Sequence, residues 1–176
     1  SLITTNLSFP SGEVIRTVNI TVTNDAVVNN DRTVALVLSN FVTAAAGNQT
    51  SATLTIVNDD SIIGFSSATY SVNENVVGAF AVITVVRTGS TVGSSTVNYS
   101  TAAGTATSGV DYTDVIGALT FSPSDSVKTF NVPIINDLLV EGNETVLLRL
   151  SGISGAAVGL TNATLTIVDD DFAPGD

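Results

Sequence analysis

Two stretches of this chain are written on one template, and that repetition limits the folds open to it more than any other feature. Leu7 to Asp60 reads LSFPSGEVIRTVNITVTND…TLTIVNDD, and Leu119 to Asp171 reads LTFSPSDSVKTFNVPIIND…TLTIVDDD. Phe9 matches Phe121 and Asn24-Asp25 matches Asn136-Asp137, an offset of 112. Thr53 to Val57 matches Thr164 to Val168, an offset of 111, so one residue is lost in a loop between them. A repeat of this length is a domain of about 110 residues, larger than the ~20–50 residues of a solenoid unit. The first copy lacks whatever would precede Leu7. The chain therefore reads as residues 1–60, the C-terminal half of one domain, followed by residues 61–176, a complete domain and the start of a further linker.

Period-two alternation runs through nearly every apolar stretch. Phe130, Val132 and Ile134 face one way, and Thr129, Asn131 and Pro133 face the other. Val146, Leu148 and Leu150 form a second such row, and Ala163, Leu165 and Ile167 a third. The first copy repeats the pattern with Val18, Ile20 and Val22, then Val34, Leu36 and Leu38, then Leu54 and Ile56. Alternation with β-branched enrichment marks half-buried strands. Further strands are expected over Ile83–Arg87 and Thr96–Thr101. Gly64-Phe65 begins the second unit, and Ala68–Asn73 is its opening strand. Pro133 cannot donate to a ladder, so its strand belongs at a sheet edge or carries a bulge. No helical period persists over three turns. Seven or so short strands in about 110 residues give an all-β fold, an antiparallel immunoglobulin-like β-sandwich.

Composition narrows the chemistry. Sixteen acidic and five basic residues leave a formal charge of -11, and the five cations are scattered singly. Nucleic acid needs a basic footprint, so no nucleic-acid partner is expected. No apolar run nears the ~18 residues of a membrane span, so no direct membrane insertion is expected. Cysteine, histidine, methionine and tryptophan are absent. Disulfides, Ser-His-Asp and Cys-His catalysis fall away with them, as do the usual zinc and haem ligands. What remains is hard oxygen chemistry, and the chain reads as no enzyme. Scarce lysine with abundant Ser, Thr, Asn and Gly points to an extracellular or cell-surface, bacterial setting.

The second unit resembles the Calx-beta domain family over residues 64–171. The resemblance rests on Tyr70-Ser-Val72-Asn-Glu74, on Ile83-Thr-Val85-Val-Arg87-Thr-Gly89, and on Val97-Asn-Tyr99 running through Gly104, Gly109 and Asp111-Tyr112. Gly117-Ala-Leu119-Thr-Phe121, Asn136-Asp137 with Glu141 and Glu144, and Thr166 to Asp171 follow in order. Residues 1–60 match only the C-terminal half. The resemblance implies a tandem Calx-beta sandwich with Ca2+ ligands gathered at one end: Glu74, Asp111, Asp137, Glu141, Glu144, Asp169, Asp170 and Asp171. Asn136 stands where the strongest calcium binders carry Asp.

Physical reasoning reaches the same end of the molecule. Calcium accepts six to eight oxygen ligands in irregular geometry, so loop carboxylates from several strands can serve it. Asp169–Asp171 cannot all point one way within a pleated strand, so the run must leave the strand. The plain alternative is a solvated acidic face. In the first copy Glu141, Glu144 and Asp169 become Asn29, Arg32 and Asn58, so calcium is expected in the second domain only.

Residues 1–60 also present a physical problem. Ten apolar side chains face a core whose other side is missing, and at ~1.5–3 kcal/mol each, roughly 15–30 kcal/mol of burial depends on strands outside them. Neighbouring domains or copies of the same protein are the expected partners, completing the sandwich in cis or by strand complementation in trans. The reading is a structural or adhesive β-sandwich repeat, calcium-stiffened, in a tandem array or filament. The alternative is a calcium-sensing regulatory module of an exchanger-like membrane protein.

Overall fold

In the computed structural model residues 4–172 are described, so the junction expected over Asp169–Gly175 is followed only as far as Phe172. The second unit contains nine strands: β3 (Ser61–Phe65), β4 (Thr69–Asn73), β5 (Phe80–Gly89), β6 (Ser95–Ala103), β7 (Ile116–Phe121), β8 (Val127–Pro133), β9 (Glu144–Ser154), β10 (Ala157–Val158) and β11 (Asn162–Val168). They make a four-stranded sheet, β10-β3-β5-β8, and a five-stranded sheet, β4-β11-β9-β6-β7. Alternation decides which side chains enter the space between them. Ile83 and Val85 of β5 and Phe130 and Val132 of β8 come from one sheet. Val146 and Leu148 of β9 and Leu165 and Ile167 of β11 come from the other. Every buried apolar side chain among the described residues lies between Ile63 and Ile167, so the second unit has a closed core of its own.

Pro133 ends β8, which pairs only with β5 and is the sheet edge its missing N–H requires. The opening of the unit differs from expectation, because β3 precedes the strand expected at Ala68–Asn73 and lies in the opposite sheet. Gly64 permits this. A Cβ there would sit 2.5 Å from the backbone N of Leu160, and Phe65 N donates to Leu160 O at 2.8 Å. β3 then pairs with β10 in parallel and β4 pairs with β11 in parallel, while the other ladders are antiparallel. One end of the sandwich is closed by Arg87. Its buried guanidinium donates to the carbonyls of Asp125, Gly93, Thr91 and Ser122 and lies over the Phe121 ring.

The first unit forms β1 (Arg32–Val37) and β2 (Ser51–Ile56), paired antiparallel. Arg32 faces Ile56 and Leu36 faces Ala52, and the counterparts Glu144–Ile167 and Leu148–Ala163 face each other in the same register. The strand expected at Val18–Val22 does not form among the described residues. Its counterpart β8 is held by β5 alone, and residues 1–60 contain no equivalent of β5. Identical patterning thus ends in opposite environments. Phe9 is 54% exposed and Phe121 0%; Val18 is 49% exposed and Phe130 5%.

That contrast yields a paired test. Leu148→Ala, which opens a cavity in the closed core, should lower unfolding free energy by about 2–5 kcal/mol. Leu36→Ala, the same position in the repeat at 36% exposure, should change it by less than about 0.5 kcal/mol. Chemical denaturation followed by tyrosine fluorescence separates the two.

Candidate metal centre

Strand pairing explains why carboxylates far apart in sequence meet. Because β4 and β11 run parallel with Asn73 beside Val168, the residues that follow each strand, Glu74 and Asp169–Asp171, emerge at the same end. Glu74 N donates to Val168 O at 2.9 Å and fixes that alignment. Antiparallel pairing sets Glu144, the first residue of β9, beside Ile167. The connection between β6 and β7 carries Asp111, and a bridge from Tyr112 to Ile134 holds it against the exit of β8. Ile135 N donates to Asp111 O at 2.9 Å, so Asp137 and Glu141 in the β8–β9 loop join the same pole.

Six of the eight expected ligands assemble into two triads, Glu74/Asp137/Asp171 and Asp111/Glu141/Glu144. Within each triad the carboxylate oxygens lie within 4.8 Å of one another. Three triad members also accept backbone N–H groups, Glu74 from Asp137, Asp111 from Thr107 and Asp137 from Leu139, and the remaining two carboxylates are hydrogen-bonded as well. Asp169 braces the loop, its Oδ2 accepting from Gly142 N at 2.8 Å and Glu141 N at 3.1 Å, and its Oδ1 from Asp171 N at 3.0 Å. Asp170 accepts from the Asn75 side-chain amide through Oδ2. Asn75, adjacent to Glu74, was not among the expected site residues, although an amide beside a motif glutamate is a signal that could have marked it. Asn136 donates its side-chain amide to the carbonyl of Asp137, 3.2 Å away.

The electrostatics of the pole are those of anions short of counterions. Burial, then hydrogen bonding and repulsion from Asp111, push the Glu144 carboxyl up to about 7. Burial first, with repulsion from neighbouring carboxylates added, also raises Glu74, Glu141 and Asp171. Asp169 moves the other way, because backbone N–H groups stabilise its anion. Among the described residues Asp170 Oδ1 and Asp171 Oδ2 are buried with no hydrogen-bond donor. Two carboxylate triads with such oxygens in the same Asp169–Asp171 run fit a hard cation, since a divalent ion supplies the missing positive charge and accepts many oxygens at once.

The equivalent pole of the first unit is built from different material. Asp25, Asn29, Arg32, Asn58, Asp59 and Asp60 border an open cavity of about 380 Å³. Among the described residues no carboxylate triad comes together there. Asp31 Oδ1 accepts from Asn58 N at 2.9 Å and so is engaged with backbone.

Comparison with known proteins agrees with this architecture. The Calx-beta domain matches residues 2–60 and again 57–171. Adhesion G-protein coupled receptor V1 of Danio rerio is 33% identical over 171 residues, covering 93% of this chain and 3% of that protein. Sodium/calcium exchanger 1 of Rattus norvegicus is 29% identical over 139 residues, covering 67% of this chain and 14% of the exchanger. The chain thus spans a small fraction of either relative. The crystal structure of the apo-form Calx CBD1 domain superposes with a TM-score of 0.60 at 32% identity, covering 64% of this chain and 99% of that domain. The calcium binding domain CBD12 of CALX1.1 gives 0.59 at 33% identity, covering 63% of this chain and 47% of that one. These relatives are animal proteins, so they lend the expected bacterial origin no support. On fold, motif order and the doubled match, this chain belongs to the Calx-beta domain family.

Proposed function

We propose that residues 61–171 are a non-catalytic calcium-binding sandwich that stiffens an extracellular structural or adhesive array of such domains. The observation that carries this reading is the pair of carboxylate triads beside the orphaned oxygens of Asp170 and Asp171. Calcium there would join the exits of β4, β8 and β11 to the entry of β9, locking loops that otherwise repel. Asp171 lies at the chain exit, so the same ion would fix the direction in which the polypeptide leaves. Residues 1–60, with Arg32 in place of Glu144, would hold no such ion.

The alternative is a calcium-sensing regulatory module, and the likeness to exchanger calcium-binding domains favours it. Both readings need calcium at this pole. They part on what the pole is coupled to, a neighbouring sandwich or a transporter.

The exposed face of residues 1–60 belongs to the same proposal. Strands equivalent to β3–β6 of a neighbouring unit would cover it, because those strands precede the part of the second unit that residues 1–60 repeat. If completion occurs in trans, the chain will self-associate as its concentration rises in size-exclusion chromatography. A monomer throughout would remove completion in trans.

Two further outcomes test the calcium site. At free calcium a hundredfold above the dissociation constant, binding adds about 2.7 kcal/mol, so the melting transition should rise by roughly 10 °C. Glu144→Gln together with Asp137→Asn should abolish the rise. A transition indifferent to calcium and chelator would sink the reading.

In chelator the raised carboxyls bind protons more tightly folded than unfolded. Their contribution to stability is complete below about pH 4.5 and is lost as pH climbs through about 7, the Glu144 value. Metal-free protein should therefore lose stability across that window, and Glu144→Gln should flatten the loss. Equilibrium unfolding at stepped pH checks both.

A further inference from the structure

The loop that carries Asp137 and Glu141 also carries three consecutive apolar side chains, Leu138, Leu139 and Val140, which are 87%, 58% and 54% exposed. None is part of the ion chemistry. Three adjacent apolar residues between acids on a loop tip form a contiguous patch of the kind that marks a contact surface.

The repeat shows what meets the last side chain of such a run, while the counterparts of the first two, Ala26 and Val27, stay exposed. With the offset of 112, Leu138–Val140 corresponds to Ala26–Val28. Val28 is half-buried, and what it meets is the turn after β5 of the second unit. A Cβ on Gly89 would lie 2.9 Å from Val28 Cγ1 and 2.6 Å from the carbonyl oxygen of Asp60. Gly89 also has φ of +88°, a conformation that disfavours other residues. Ser90 N donates to Asp60 O at 2.8 Å, completing the contact. The bare glycine turn is thus the seat for the loop valine of the unit before it.

Resting on the proposed function and going further, we propose that Val140, the last residue of the exposed run Leu138–Val140, is a docking residue for the glycine that ends the β5-equivalent strand of another Calx-beta domain, joined head to tail at this pole. Val140 takes the part of Val28. Phe172, 82% exposed, stands where Ser61 stands at the existing junction, and Ser61 is buried as the first residue of β3. A second copy of this chain does not fit, because its own Gly89 turn is already covered by its own Val28. The required partner is a sandwich whose turn is free. The contact also bears on calcium. Asp169 grips the loop backbone at Glu141 and Gly142, so the group that braces the triads holds the docking residues too.

The test uses the full chain with residues 61–171 repeated directly after Asp171, so that Ser61 again follows an aspartate. The added unit contains a complete core. With that unit isotopically labelled, the amide resonances of its Gly89 and Ser90 should match those at the natural junction. They should differ from those of residues 61–171 expressed alone. Val140→Asp should move them to the values of the lone unit, and Val82→Asp, on the outer face of β5, should leave them in place. Resonances equal to the lone unit from the outset would overturn the proposal, as would indifference to Val140→Asp. Each spectrum is taken in calcium and in chelator. Docking in either condition supports the proposal, and absence in both ends it. The calcium reading is judged separately, from whether calcium raises the melting transition of the lone unit.

Discussion

The parallel ladder between β4 and β11 is the contact on which the rest of this molecule depends. It joins the start of the domain to its end and closes the five-stranded sheet. It also delivers Glu74 and the Asp169–Asp171 run to one pole. Without that pairing the two segments, about 95 residues apart in sequence, would have no reason to meet. Residues 1–60 show the consequence of lacking it. There β2 keeps the register of β11 against its antiparallel neighbour, yet among the described residues no β4 equivalent flanks it, and Val34, Leu54 and Ile56 are only half-buried where Val146, Leu165 and Ile167 are buried.

What could be read from the sequence divides along the line between local and distant information. Alternation is local, and it placed Phe130, Val132, Leu148, Leu165 and Ile167 inside correctly. Pro133 marked an edge because a missing N–H is a property of one residue. Asp169–Asp171 announced the end of a strand because a pleat cannot aim three neighbours together, and β11 does end at Val168. Partner choice is distant. Nothing near Val18–Val22 reveals that its strand needs a β5, and nothing near Ser61 reveals that β3 will find β10 across a bare glycine.

The carboxylate pole was legible in its members and less so in their hydrogen bonding. All eight carboxylates reach the same end of the sandwich, but they do not act alike. Six face one another in triads, and three of these, Glu74, Asp111 and Asp137, accept backbone N–H groups as Asp169 does, while Asp170 takes the Asn75 amide. Sequence distinguishes a carboxylate from an amide, and so it exposed the weakened first copy at Asn29, Arg32 and Asn58. It does not show which backbone N–H groups each carboxylate will meet, because that depends on which N–H groups the fold leaves unpaired nearby.

The two ends of the second sandwich resolve buried charge in opposite ways, and this asymmetry bears directly on function. At the Arg87 end the cation is satisfied by four carbonyl oxygens from the β5–β6 and β7–β8 turns, so that end is held together whatever the solution contains. At the other end like charges crowd and two oxygens lack any donor, so order there depends on protons or on a divalent ion. A rod assembled head to tail from such units meets each self-sufficient end with a condition-dependent one. Its stiffness is then set junction by junction, by whether the preceding unit keeps its carboxylates. In this chain the first unit has given up Glu at the position of Arg32, and its junction instead relies on Val28 seated against Gly89 and Asp60 bonded to Ser90. That junction is built from packing and a backbone hydrogen bond, whereas the pole at Asp171 gathers the two carboxylate triads.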